Sequence, residues 1–147
     1  MKNMRRALAA AGVCALALGS GHAAAHATAR ASAAAQSCNA AGCVSVGPEE
    51  SGCAADDNVG VVGHADGDGA HLELFYSPAC KANWARLSGA PAGTEFCVVS
   101  ENPAGDQQQC DTEDAGDTYT WTNMVDGTYT AYAYMVFPDG IYYTPSV

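Results

Sequence analysis

The chain has 147 residues, with sixteen Asp and Glu, six Lys and Arg, and seven Cys. All the carboxylates lie beyond residue 48, and beyond residue 36 only Lys81 and Arg86 oppose them. Such a surface repels nucleic-acid phosphates, anionic membranes and anionic wall polymers. It leaves cations, basic proteins and neutral glycans as attractive partners.

The first residues read as an export signal. Lys2, Arg5 and Arg6 form a positive segment, and Ala7 to Leu18 an apolar run too short to span a bilayer. Small-residue cleavage patterns at Ala23-Ala24-Ala25, Ala25-His26-Ala27 and Ala33-Ala34-Ala35 bound the cut. We assign residues 1–27 to the signal, with cleavage as late as residue 35, and 28–37 to an Ala-rich tail. Arg5-Arg6 also admits twin-arginine export, although its flanks fit that motif poorly. Cys14 lacks a lipobox and leaves with the signal. No other stretch is long and apolar enough to cross a membrane. Residues 38–147 are then a single exported, disulfide-rich domain.

Six cysteines remain: Cys38, Cys43, Cys53, Cys80, Cys97 and Cys110. An even number in a small exported domain points to disulfides. "FCVVS" and "QQQC" flank a turn at Asn102 to Asp106, which predicts a Cys97–Cys110 bridge; the other four supply two more in a pairing left open. Zinc is disfavoured, since C-x4-C at Cys38 and Cys43 has no matching knuckle. No metal and no cofactor is assigned, and no GxSxG, P-loop, HExxH or dinucleotide fingerprint is present.

Residues 38–58 lack periodicity and predict an irregular lobe. "NVGVVGHA" and "AHLELFYS" predict two strands joined at Asp66-Gly67-Asp68-Gly69, with Leu72, Leu74 and Tyr76 on one face and Phe75 breaking the alternation. If Ala65 pairs with Ala70, His64 and His71 face each other; a solvated turn is preferred there over a metal site. Ser77-Pro78 reads as an N-cap followed by Pro, and Ala79 to Leu87 as a short helix with Cys80, Trp84 and Leu87 on one face. Cys80, among Lys81 and a helix start, has the setting of an activated nucleophile, but the disulfide count argues for a staple with Trp84 packed over it. Arg86 is assigned to a nearby acid.

"TEFCVVS" predicts another strand. "DTYTWTNMV", "TYTAYAYMVF" and "IYYTPSV" predict a three-stranded meander turning at Asp126-Gly127 and Pro138-Asp139-Gly140. Tyr119 and Trp121, then Tyr132 and Tyr134, alternate on successive strands. They are the core of a small β domain or, if exposed, a ladder for sugar rings or a protein partner. The fold expected is mainly β, a small disulfide-stapled antiparallel barrel or sandwich with one short helix.

The order Cys38, Cys43, Gly47-Pro48, Cys53, then "LELFYSPACKANWARL" and "TYTWTNMV" resembles the YjfA-like domain of unknown function, common in secreted proteins of actinobacteria and some bacilli. The resemblance covers residues 38 to 135. It departs at Phe75, where that family usually has arginine, and at Tyr134, where a cysteine is typical. It implies a fold and an extracellular location, and no activity. The function expected is a secreted non-catalytic domain binding an extracellular protein or glycan. A small secreted hydrolase, or a secreted inhibitor or interbacterial factor built on the Asn102 to Gln109 loop, is the alternative.

Overall fold

The computed structural model describes residues 36–147; the export signal and most of the Ala-rich tail expected before them lie outside the described residues. Nine strands follow two short 3-10 turns, Ala40–Cys43 and Cys53–Ala55. The strands are β1 Gly60–Gly67, β2 Ala70–Ser77, β3 Ala82–Ser88, β4 Glu95–Ser100, β5 Gln107–Thr112, β6 Tyr119–Trp121, β7 Val125–Asp126, β8 Ala131–Phe137 and β9 Gly140–Tyr143. The first sheet runs β1-β2-β3-β6, with β7 also on β3; the second runs β5-β4-β8-β9. All pairings are antiparallel.

Period-two alternation in the two sheets makes one core between them. Leu72, Leu74, Ala85 and Leu87 from the first meet Phe96, Val98, Ala133, Met135 and Phe137 from the second. A second buried cluster lies on the other face of the first sheet. There the lobe lays Cys43 and Cys53 over Ala82, Trp84 and Met124. β3 is therefore covered on both faces, and Ala82, Asn83, Trp84, Ala85 and Leu87 are all buried.

That double burial corrects the helix expected at Ala79 to Leu87. Among the described residues the helical segments are the two 3-10 turns. Ser77 Oγ does accept the N–H of Cys80 at 3.1 Å, a capping contact. Lys81 then turns left-handed, at φ 50°, and the chain re-enters the sheet. From Ser77↔Ala82 to His71↔Ser88, β3 pairs with β2 along its whole length. A strand buried on both faces loses its alternation, and its apolar run mimics a helical face. Phe75 does not break the pattern of β2: it shares the outer face with Glu73, opposite Trp84.

Two further expectations are corrected. The β1–β2 turn is the two-residue Asp68-Gly69, both at positive φ. Its register pairs Asp66 with His71 and His64 with Glu73, so the histidines are offset rather than opposite. The three-stranded meander is not formed either. β6 and β7 pair with β3 in the first sheet, and of the strands expected in the meander β8 and β9 alone pair with each other, in the second. Asp126-Gly127 is where the chain leaves one sheet for the other. Asp126 Oδ1 accepts the Thr128 N–H at 2.9 Å, and Gly127 passes so close to β3 that a Cβ there would lie 2.9 Å from the Ala82 nitrogen.

Candidate functional site

Three disulfides hold the domain: Cys38–Cys43, Cys53–Cys80 and Cys97–Cys110. The last joins directly opposed residues of β4 and β5, the pair expected from the flanking strands. Cys80 is a staple, which removes it as a nucleophile. The lobe is further tied by Asp56. Its carboxylate accepts the Asn58 N–H at 3.1 Å, the Ser77 hydroxyl at 2.8 Å and the Ala79 N–H at 3.1 Å. These donors, the Asn58 amide foremost, hold its pKa below the usual aspartate value.

The four aromatic positions singled out in the sequence lie on two different sheets. Tyr119 and Trp121, on β6, flank Arg86 on the outer face of the first. The Arg86 guanidinium lies 4.9 Å from the Phe75 ring centre, 5.2 Å from that of Trp121 and 5.6 Å from that of Tyr119. Its Nε donates to Glu73 at 2.7 Å. Phe75 stacks on Trp84 at 5.6 Å with the rings 7° from parallel, and Trp84 is buried against the cysteines of the lobe. His71 Nδ1 lies 2.6 Å from Asp66 and its Nε2 3.7 Å from Glu73. These rings and charges mostly face one another. Of the rings around Arg86, Tyr119 at 44% exposed offers most surface, while His71 and Asp66 are open at the edge.

Tyr132 and Tyr134 point outward from β8, on the face of the second sheet away from the core. β9 adds Tyr143 beside them, with ring centres 6.1 Å from Tyr132 and 5.7 Å from Tyr134. Tyr143 is 55% exposed and its neighbour Ile141 49%. Gln108 on β5 donates an amide hydrogen to the Tyr134 hydroxyl at 3.1 Å. Partial burial, then the negative charge of Glu101 beside Tyr132 and Glu95 beside Tyr134, raises both phenol pKa values. The hydroxyls stay protonated across the neutral range and can both donate and accept. The core expected of these rings is instead supplied by Leu72, Leu74, Leu87, Phe96 and Met135.

The pattern of the chain that carries these faces is shared. The sequence profile described as "protein of unknown function (DUF2690)" matches residues 41–138. The chain belongs to the DUF2690 family. No curated protein and no solved structure matches it. The DUF2690 match contains Cys53–Cys80, Cys97–Cys110, Arg86 and Tyr132 to Tyr134, and stops before Tyr143. Sequence reasoning missed Tyr143. Its alternation with Ile141 in "IYY" was the available signal, but the hairpin to β8 decides that both face outward.

Concave space offers less. A cavity of about 520 Å³ lies between residues 91–95 and 136–138, with Glu95 as the one carboxylate among its lining residues. Among the described residues no helix is long and apolar enough to cross a membrane.

Proposed function

We propose that this DUF2690 domain is a secreted, non-catalytic binding module, of the YjfA-like type found in actinobacteria, whose ligand is a neutral glycan of a cell surface. Three tyrosine rings gathered on one open sheet face carry the reading. Tyr132, Tyr134 and Tyr143 present adjoining apolar planes edged by phenol hydroxyls and the Gln108 amide. Sugar rings pair with such a surface, their C–H faces on the aromatic planes and their hydroxyls on the polar tips. The sixteen carboxylates favour a neutral polymer over an anionic one. Three disulfides suit an oxidising location outside the cell.

The hydrolase alternative draws less support. Two-carboxylate hydrolysis needs facing acids across a cleft; the 520 Å³ cavity brings Glu95 alone, and the smaller hollows that hold two acids pair chain neighbours Glu49 and Glu50, or Glu95 and Asp111 on adjacent strands. Asp56 is committed to the lobe, with its pKa pulled away from the range of a general acid.

Co-sedimentation with insoluble cellulose, chitin and purified cell walls, followed by calorimetry with soluble oligosaccharides, tests the proposal. Tyr134→Ala and Tyr143→Ala are each expected to weaken binding about tenfold, as central aromatic anchors do. Tyr119→Ala is expected to leave it unchanged. Binding that survives the double variant Tyr134→Ala/Tyr143→Ala, or no retention on any neutral polymer, sinks it.

A further inference from the structure

Spacing along the chain argues against a metal knuckle, yet the fold brings four of the cysteines to one point. The sulfurs of Cys38, Cys43, Cys53 and Cys80 all lie within 4.8 Å of one another. Cys43, Cys53 and Cys80 are fully buried. The two bridges lie side by side, with Cys38 Sγ 3.7 Å from Cys53 Sγ across the gap between them. In a tetrahedral tetrathiolate site, metal–sulfur bonds of about 2.3 Å put neighbouring sulfurs about 3.8 Å apart. The contact between the bridges already has that spacing. The two bonded pairs have to part by less than about 2 Å each, and the other sulfurs, all within 4.8 Å of one another, have to close by about 1 Å at most.

We infer that Cys38, Cys43, Cys53 and Cys80, when reduced, form a tetrathiolate site for one divalent ion of the zinc type, so that the lobe is held either by two disulfides or by one metal.

The backbone around the cysteines is placed by contacts that need no S–S bond. Ala40 N–H donates to the Cys80 carbonyl at 2.7 Å. Ser45 N–H donates to the Met124 carbonyl at 3.1 Å, and Met124 N–H to Val46 at 3.0 Å, locking the segment after Cys43 onto the first sheet. Asp56 fixes Ser77 and Ala79, beside Cys80, to the residues following Cys53. Trp84, Ala82 and Met124 pack against the three buried cysteines, and Cys38 at the edge is partly buried. All four ligands are the soft, borderline donors that zinc and cobalt prefer over calcium or magnesium. The acidic surface raises the local concentration of divalent cations.

The chemistry balances with a dithiol as reductant. Each disulfide takes two electrons and two protons from one dithiol, which closes into its own disulfide. The metal then displaces the four thiol protons as four metal–sulfur bonds form. The oxidised domain has no free thiolate here and is expected to bind nothing at this point. The site is independent of the tyrosine face, and its failure would leave the glycan proposal untouched.

The test uses the full domain, reduced with a dithiol and kept free of oxygen, titrated with Co²⁺. A single equivalent is expected to give thiolate-to-cobalt charge transfer and the intense visible bands of tetrahedral cobalt, bleached by Zn²⁺. The Cys97→Ser/Cys110→Ser variant is expected to titrate in the same way. Cys53→Ser/Cys80→Ser is expected to bind at least a hundredfold more weakly. Near-ultraviolet dichroism from the buried Trp84, diminished on reduction, is expected to return with the metal. Absence of tetrahedral bands in the reduced wild type overturns the inference. So does an undiminished signal in Cys53→Ser/Cys80→Ser, or one that vanishes with Cys97 and Cys110.

Discussion

Asp56 shows how much one carboxylate organises. It is buried and accepts three hydrogen bonds, from Asn58, Ser77 and Ala79. Because its pKa is lowered in the fold, its contribution is complete above the ordinary aspartate value of about 3.9 and is lost as pH falls through the lowered folded value. Asp56→Asn is therefore expected to lower the melting temperature most above about pH 5, the gap closing in more acidic solution; melts of both proteins from about pH 2 to 7 check this. Gly127 matters through space rather than conformation. An added Cβ would meet the Asn83 side chain at 2.8 Å and backbone atoms of Ala82 at 2.9 and 3.0 Å, whereas at Gly140 it would meet nothing within 4 Å. Gly127→Ala is expected to cost about 1–3 kcal/mol and Gly140→Ala close to nothing, by denaturant titration.

β3 is the hinge of the architecture because two layers need it. Leu87 and Ala85 face the core between the sheets, while Trp84 and Ala82 face the lobe. Trp84→Ala is expected to destabilise the domain by about 3–5 kcal/mol, measured by urea unfolding. Its stacking on Phe75 means that Phe75→Ala in the same background should cost less than it does alone. The helix expected in this segment failed on a point of physics. Ser77 caps one turn, but a lone two-turn helix has little to hold it, whereas β3 gains seven residue pairings with β2 and buries both faces.

The three bridges act on loops of different length. Cys53–Cys80 spans 27 positions and joins the lobe to the β2–β3 connection; Cys38–Cys43 spans 5 and closes within the lobe. In the chain-entropy model, removing the first costs about 3–4 kcal/mol and removing the second about 2 kcal/mol. Cys53→Ser/Cys80→Ser is accordingly expected to lower the denaturation midpoint more than Cys38→Ser/Cys43→Ser; equal losses would mean that packing, not loop closure, dominates. The buried apolar residues fall into two clusters, the larger between the sheets and the smaller built on the cysteines of the lobe.

Composition and local pattern were enough to specify the β class, a hairpin turning within Asp66 to Gly69 though not its register, the unpatterned lobe and the Cys97–Cys110 pair. Each rests on short-range chemistry: positive φ at an Asp-Gly turn, period-two burial, an even cysteine count, two arms around one turn. The state of residues 79–88, the partners of β6 and β7, the other two disulfides and the outward face of Tyr143 were decided by tertiary structure. A run apolar on both faces has no period by which to tell strand from helix. Which sheet a short strand joins depends on residues far along the chain, here Arg86 for Trp121 and Asn83 for Val125. The meeting of four sulfurs follows from the same long-range packing, since nothing in the spacing of Cys38, Cys43, Cys53 and Cys80 encodes it.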